Sequence, residues 1–539
     1  MPIQSPPRAR IASLLVLTAV LGACASMPPG AGFPKLASVA LAHPEETRVG
    51  ARFAAAAREH PGTSGFHILP VGLDGFQVRV QMIDAAERTL DLQYYIFRGD
   101  ETGRLLTDAL LRAADRGVRV RLLIDDGDTV AGDEQIVALN AHRSIQIRIF
   151  NPFAYRGHNN FLRGMEFLAH EDRLDRRMHN KLLIADNSLA LLGGRNVGNE
   201  YFQIDPDSQF ADDDVFAAGP IAGELSATFD EYWNSRFAIP AEAFAQTRHA
   251  ATTLGAHRER ARWHPAELVQ VSTADKSDYV TRIASGEPYA GLISGRIPLE
   301  WAAAHVVCDS PDKEATLSGA HAGRLMARDV IDNIHHVRSE LLMVTPYLIP
   351  SADELAALQE LRGRSVTVRI LTNSFESARG YMAHAGYTRY RVPLLEAGAN
   401  LYEARALIGN ARGSGETTRI SRYGNYGLHA KLFVFDRERI FIGSMNFDER
   451  SRHLNTELGL IIESPELAAQ VAARFQAMTQ PANAYALALR SEPGVGGSRL
   501  VWHTQENSHT VDYVHEPGSR AWQRATIRAL ALLPLSGEL

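Results

Sequence analysis

Two short segments of the chain place an imidazole and an ammonium at the same spacing. His179 and Lys181 open HNKLLIAD, which ends at Asp186; His429 and Lys431 open HAKLFVFD, which ends at Asp436. Side chains alternate across a strand, so His179 and Lys181 share one face, as do His429 and Lys431. A phosphodiester needs a nucleophile at phosphorus and positive charge on its non-bridging oxygens. Neutral imidazole supplies the first and lysine the second. A tight turn with an amide side chain follows each segment: Gly193-Gly194-Arg195-Asn196, and Gly443-Ser444-Met445-Asn446, where Ser444 adds a hydroxyl. Asp186 and Asp436 lie five residues past their lysines and read as supports in a turn or ion pair. A metal is argued against, because the ammonium two residues from each imidazole repels a cation and no Cys/His cluster has ligand spacing.

The elements around the two segments recur in order. An apolar strand at Leu90–Phe97 is followed by a helical pattern at Thr102–Arg116, a stop at Gly117 and a strand at Val118–Asp125. Later, a strand at Leu341–Leu348 is followed by a helix from Ser351, as N-cap, to Leu361 and a strand at Val366–Thr372. From Leu90 to His179 is 89 positions, and from Glu340 to His429 is also 89. Amphipathic helical stretches follow at Gly223–Phe237 and Pro465–Thr479. Two copies of one α/β unit account for this order. Residues 63–240 form the first repeat and 311–490 the second, with a linker or insertion at 241–310 carrying some helix. Residues 491–539 form a C-terminal extension, in which Arg499–His503 alternates like an edge strand.

The paired motifs, together with SGFHILPVGLDGF (Ser64 to Phe76), RMHNKLLIAD (Arg177 to Asp186), HAGYTRYR (His384 to Arg391) and NTELGL (Asn455 to Leu460), resemble the phospholipase D superfamily. Within it the chain is most similar to bacterial cardiolipin synthases with two motifs. The resemblance covers most of residues 63–490. It implies two fused phospholipase D-like repeats, each a mixed β-sheet flanked by helices, with a pseudo-twofold active site at their interface. It also implies a phosphohistidine intermediate: His179 is favoured as nucleophile and His429 as acid/base, Lys181, Lys431, Asn196 and Asn446 hold phosphate oxygens, and no cofactor is needed. Each histidine takes a supporting carboxylate from the other block. These are Glu457 after the second motif and either Asp212 or Asp214 after the first; aligning ADDDV with NTELG sets Asp212 opposite Glu457.

The resemblance implies phospholipid substrates. A phosphatidyltransferase of cardiolipin synthase type is the leading reading, with a hydrolytic phospholipase D as the alternative. A nuclease is disfavoured: the net charge of −6 lacks the global basic field of non-specific nucleic-acid binders. A catalytically dead scaffold conflicts with the intact His-Lys pairs and asparagines. At the start of the chain, Arg8 and Arg10 precede a short apolar run, Ile11–Val20, and Leu21-Gly22-Ala23-Cys24 resembles a lipobox. The expectation is a signal peptide at 1–23, a lipid anchor on Cys24 and a tether over 24–62. This would give an envelope protein that faces the periplasm from the outer membrane. Cys308 is then the one remaining thiol, expected to be inert, and no internal disulfide can form.

Several further residues carry two readings. Arg173, Arg176 and Arg177 form either a basic rim for a headgroup or a solvated charge run. His384, Tyr387 and Arg389 line a headgroup pocket or mark a packed helix face. Asp125 and Asn373 end equivalent strands, where they serve the site or cap turns. Trp502 and Trp522 pack in the core or face lipid.

Overall fold

The computed structural model of the chain describes residues 27–127, 136, 139–157, 159–204, 209–244, 289–378, 380–406, 426–491, 498–506 and 509–532. Cys24 and the expected signal peptide lie outside the described residues. The first repeat contributes β1 (Ser64–Leu69), β2 (Thr89–Tyr94), β3 (Arg119–Asp125), β4 (Ile145–Phe150), β5 (Leu182–Ala185), β6 (Leu189–Gly193), a short β7 (Gln209–Ala211), β8 (Asp214–Ala218) and β9 (Ala238–Pro240). Its sheet runs β1-β8-β6-β5-β2-β3-β4-β9, parallel across β2-β3-β4 and antiparallel elsewhere.

β10 (Glu300–Cys308) leads into the second repeat: β11 (Glu340–Val344), β12 (Thr367–Asn373), β13 (Asn400–Ala404), a short β14 (Tyr426–Leu428), β15 (Leu432–Phe435), β16 (Arg439–Gly443), β17 (Leu458–Glu463) and β18 (Ala484–Ser491). The order β10-β17-β16-β15-β11-β12-β13-β18 copies the first sheet strand for strand. β19 (Ser498–Glu506) and β20 (His509–Tyr513) extend the far edge, so the alternating tail segment is a strand with a neighbour on each side. β10 also joins the sheets: its first residues, 300–302, pair with β1, and 303–308 pair with β17. The sequence reading placed this stretch at the end of a linker, because Glu300–Cys308 (EWAAAHVVC) has weak alternation. Its pairing partners lie more than 150 residues away on both sides, which local periodicity cannot register.

Helices cover the sheets. Those that position the site or its rim are α1 (Arg48–Glu59), α2 (Gly72–Ala85), α3 (Glu101–Asp115), α4 (Asn160–Ala169), α5 (Pro220–Asn234), α6 (Ala352–Gly363), α7 (Tyr381–Thr388), α8 (Pro465–Met478) and α9 (Ala521–Ala531). The start of α6 is fixed by a reciprocal capping box between Ser351 and Glu354, and Gly117 takes φ 93° just after α3. One core passes between the repeats: Phe229 and Trp233 of α5 belong to the same apolar cluster as Leu432 of β15 and Phe475 of α8. Residues 27–62, expected as a tether, lie on the first repeat where described. Ser38 is bonded by Arg121 and Asn234, the Ala40 amide donates to Asp230, and Phe53 of α1 is buried.

The last residue of each motif holds a strand in place. Asp186, 1% exposed, accepts bonds of 2.8 Å from the amides of Glu87, Arg88 and Thr89 at the start of β2. Asp436 accepts from the amides of Arg338, Ser339 and Glu340 at the start of β11. Their own amides return bonds to Thr89 and Glu340. Thr89 and Glu340 are therefore the equivalent positions, and the interval to the histidine is 90 in one repeat and 89 in the other. Apolar residues alone do not reveal that single-residue offset, because β2 begins with a threonine. Asp186→Ala leaves three amides, one buried and two part-buried, without their acceptor, each worth about 1 kcal/mol or more. The expected outcome is a loss of roughly 2–4 kcal/mol in urea unfolding, with the cleft residues chemically intact.

Candidate active site

Each histidine is set by a clamp from its own repeat and a strand from the other. Asp125, at the end of β3, accepts from the amide of Met178 at 2.8 Å. Asn373, at the end of β12, accepts from the Leu428 amide at 2.8 Å and donates to the Leu428 carbonyl at 2.9 Å. These equivalent side chains thus hold the residue before each histidine. The histidine segments then cross over. The His179 amide donates to Thr456 O at 2.9 Å and the Thr456 amide to Arg177 O at 2.9 Å. On the other side β14 runs parallel to β7, and the His429 amide donates to Ala211 O at 2.8 Å.

That exchange carries each imidazole to the carboxylate of the opposite repeat. His179 Nδ1 lies 2.9 Å from Glu457 Oε2, and His429 Nδ1 lies 2.6 Å from Asp212 Oδ2. With Nδ1 so engaged, Nε2 of each ring is left for substrate. Lys181 and Lys431 each donate to the carbonyl of their own histidine, and Lys431 Nζ stands 3.3 Å from His429 Nε2. Of the three consecutive acids, Asp212 is the one on the imidazole. Asp214 is fully buried between Arg79, at 2.7 Å, and Arg195, at 3.1 Å, and Asp213 pairs with Arg474. Strand pairing gives the same answer, since Asp214 faces Gly193 where Gly459 faces Gly443.

Burial governs the charges. It drives His179 well below the usual histidine range, and the Lys181 and Lys431 ammonium groups push in the same direction. His429 falls to about 3 for the same reasons, burial first and Lys431 second, against the pull of Asp212. Both rings are neutral at rest. Burial lowers Lys431 to about 8 and depresses Lys181 strongly. The two carboxylates differ. Burial lifts Glu457 to about 7, although Lys181, Ser444 and Ser451 favour its charge. At Asp212 burial is outweighed by His429, Lys431 and Arg195, so its carboxyl is held below the ordinary value.

The surroundings of the carboxylates differ too. Glu457 accepts from Ser444 Oγ at 2.5 Å and Ser451 Oγ at 2.8 Å, and its amide donates to Asp309 at 2.9 Å. Asp309 in turn receives Lys313 at 2.9 Å. Glycine stands at 194, opposite Ser444, because a Cβ there would be 2.2 Å from Asp212 Oδ1. Asn446 Oδ1 is buried without a hydrogen bond among the described residues, whereas Asn196 bridges the Ile96 amide, at 3.2 Å, and Tyr201 OH, at 2.9 Å.

The two histidines and both asparagines line one cleft of about 690 Å³. Its walls include residues that the sequence reading passed over. Tyr95 meets His179 edge-on at 5.1 Å, Tyr201 and Phe210 meet His429 at 5.3 and 4.9 Å, and Arg98 and Arg450 add positive charge. Superposing the repeats would have flagged Tyr201, which falls opposite Ser451 when His179 is set on His429. The expected basic rim is elsewhere. Arg173 and Arg177 are buried against Asn151 and Asp125, Arg176 pairs with Glu314, and all three line a separate cavity of about 370 Å³. His384 and Tyr387 are also inside the protein. They bond Glu516 at 2.6 Å and Glu403 at 2.8 Å, and Trp502 joins them by donating to Glu403 at 3.0 Å. Arg389 is exposed, and of this stretch Ala383 reaches the cleft. Cys308 is buried and its thiol is pushed up by that burial.

These geometries separate the neighbouring acids experimentally. Asp212→Asn leaves His429 with an amide where its carboxylate stood. The expected loss in kcat on a chromogenic phosphodiester is roughly 10³–10⁴-fold, with an unchanged melting curve. Asp214→Asn instead breaks a buried ion pair. It is expected to cost about 3–5 kcal/mol of stability while sparing the kcat of the folded fraction.

Residues 80–233 and 330–479 match the family model "Cardiolipin synthase, PLD-like domain". The chain is 34% identical over 486 residues to cardiolipin synthase C of Escherichia coli, covering 88% of this chain and 96% of the relative. It is 26% identical to the major cardiolipin synthase ClsA of Bacillus subtilis, covering 76% of this chain and 67% of the relative. Among solved structures, phosphatidylserine synthase of Haemophilus influenzae aligns over 90% of this chain and all of its own, with TM-score 0.53 and 13% identity, which shows a shared fold. The chain belongs to the phospholipase D superfamily and, within it, to the PLD-like family of cardiolipin synthases, a family of phosphatidyltransferase enzymes.

Proposed function

We propose that the chain is a phosphatidyltransferase of cardiolipin synthase type, moving a phosphatidyl group from one phospholipid to the hydroxyl of another through a phosphohistidine. The observation that carries this reading is the pair of neutral imidazoles in one cleft, each backed by a carboxylate from the other repeat. His179 Nε2 forms a bond to phosphorus as the bond to the leaving alcohol oxygen breaks. His429 Nε2 gives that oxygen its proton. In the second half, the acceptor hydroxyl loses its proton to His429 and its oxygen attacks phosphorus, breaking the P–N bond. Lys181, Lys431 and Asn446 hold the non-bridging oxygens, and Asn196 secures the wall beside them.

The unequal carboxylates favour these roles. Asp212 keeps its charge and stabilises an imidazolium at His429, as an acid requires. Glu457, once ionised, accepts the Nδ1–H of His179 and leaves the Nε2 lone pair free as the nucleophile. The incoming phosphodiester adds a negative charge beside His429 and offsets the two ammonium groups that depress its basicity. The aromatic walls at Tyr95, Tyr201, Phe210 and Tyr347 limit water, which favours an alcohol acceptor over hydrolysis. The lipobox at Cys24 supports a lipid-anchored enzyme facing the periplasm, in the outer membrane.

The test is a product assay of the full chain on phosphatidylglycerol and phosphatidylethanolamine vesicles without divalent metal, with His179→Ala beside it. Cardiolipin formed only by the parent chain supports the reading; phosphatidic acid alone overturns the transferase assignment. A pH profile adds a second check. kcat/KM is expected to rise through about 7 as Glu457 ionises and to fall above about 8 as Lys431 loses its proton. Glu457→Gln is expected to remove the acidic limb.

A further inference from the structure

The geometry points to α4 as an interfacial helix that seats the mouth of the cleft on a phospholipid surface, a proposal that rests on the substrate reading above. None of its residues is buried. Phe161, Leu162, Met165 and Leu168 are 73%, 45%, 52% and 70% exposed. Their spacing of one, four and seven residues puts them on one face of a helix. Apolar side chains this large, grouped and uncovered, mark a surface that meets another apolar phase.

The helix is held by polar bonds on its other side. Asn159 caps its first turn by accepting from the Phe161 amide at 2.9 Å. Glu166 accepts from the amides of Ala154 and Tyr155 at 2.6 and 2.7 Å. Arg163 donates to the carbonyl of Asp126 and packs 4.0 Å from the centre of the Phe153 ring. Its order therefore does not depend on covering the apolar face.

Its anchor adjoins a wall of the cleft. Asp126 follows Asp125, the residue that holds Met178 in front of His179. A side chain at Gly127 would stand 3.5 Å from the ring of Tyr95, which lines the cleft beside His179. Beside Ala383 in the cleft lining lies a smaller apolar island. Met382 on α7 is 40% exposed next to Ala383 in the cleft lining. Trp522 on α9, which is bonded to α7 through Gln523 and Tyr381, is 59% exposed. Apolar groups at α4 and beside Ala383 suit a lipid surface that feeds substrate into the cleft. A second copy of the chain seated there would close it.

The helix is also placed to act at the interface rather than to anchor irreversibly. Insertion of one such side chain shifts a partition equilibrium roughly 10- to 100-fold. Four shallow side chains therefore give reversible binding that permits lipid exchange.

The test uses the full chain with Phe161→Trp on phosphatidylglycerol and phosphatidylethanolamine vesicles with brominated acyl chains. Quenching beyond that of the parent chain is expected, and its absence overturns the proposal. In parallel, Phe161→Asp combined with Leu168→Asp is expected to lower turnover of vesicle lipid at least tenfold. Turnover of a soluble short-chain phosphodiester should stay within about twofold. Equal vesicle turnover in variant and parent overturns the proposal. So does light scattering that shows the double variant converting a dimer to a monomer with vesicle turnover unchanged. Quenching in the Phe161→Trp variant without any lipid product keeps the docking surface and instead refutes the substrate reading.

Discussion

The exchange of carboxylates between the repeats is the interaction on which the rest of the structure depends. An imidazole taken out of water loses hydration and, beside two ammonium groups, cannot gain a proton at neutral pH. A carboxylate on Nδ1 is then the one group that fixes the tautomer and makes later protonation of Nε2 possible. Neither repeat supplies that carboxylate to its own histidine. Each half is chemically incomplete, and the shared apolar core, the bridging strand β10 and the two crossed backbone contacts hold the halves in register. A displacement of an ångström between the sheets would weaken both histidine pairs together, since they lie on opposite sides of one pseudo-twofold axis.

Symmetry in the backbone does not carry through to the chemistry. Glu457 is embedded in hydroxyls and in the Asp309–Lys313 pair, while Asp212 sits against Gly194 and close to Arg195. A shorter carboxylate on one side and a longer one on the other lets each meet its ring from a different depth. The surrounding charges then set the two carboxyls apart. A duplicated unit with identical halves would hold two identical imidazoles, whereas a displacement in two steps needs one to bond phosphorus and one to move a proton.

Much of this was legible in the chain. HNKLLIAD and HAKLFVFD give the strands Leu182–Ala185 and Leu432–Phe435 and, through the repeat, the existence of a second half, but each His-Lys pair expected on the strand lies just before it. The alignment of ADDDV with NTELG sets Asp212 opposite Glu457 but leaves Asp214 open; the choice rests on geometry, because strand register keeps the spacing between β6 and β8 the same as between β16 and β17. What escaped depends on contacts between distant segments. The Arg173–Arg177 cluster reads in sequence as a rim or a solvated charge run, yet its partners Asn151, Asp125 and Glu314 come from other elements and turn it inward. His384 and Tyr387 are likewise claimed by Glu403 and Glu516. β10 has too little alternation to announce itself, because two sheets share it end to end and neither imposes its pattern on the whole strand.

The resting site balances two buried lysines against two buried carboxylates. Such a balance is tolerable without ligand but leaves both lysines and the Glu457 carboxyl displaced from their ordinary affinities for protons. On the proposed function, the charge of a phosphodiester beside the lysines would offset part of that displacement and favour an imidazolium at His429. Electrostatic stabilisation is thus already in place before the reaction, and no side chain has to move to create it. On the proposed reading, a phospholipid's phosphate offered to the cleft would satisfy these buried charges.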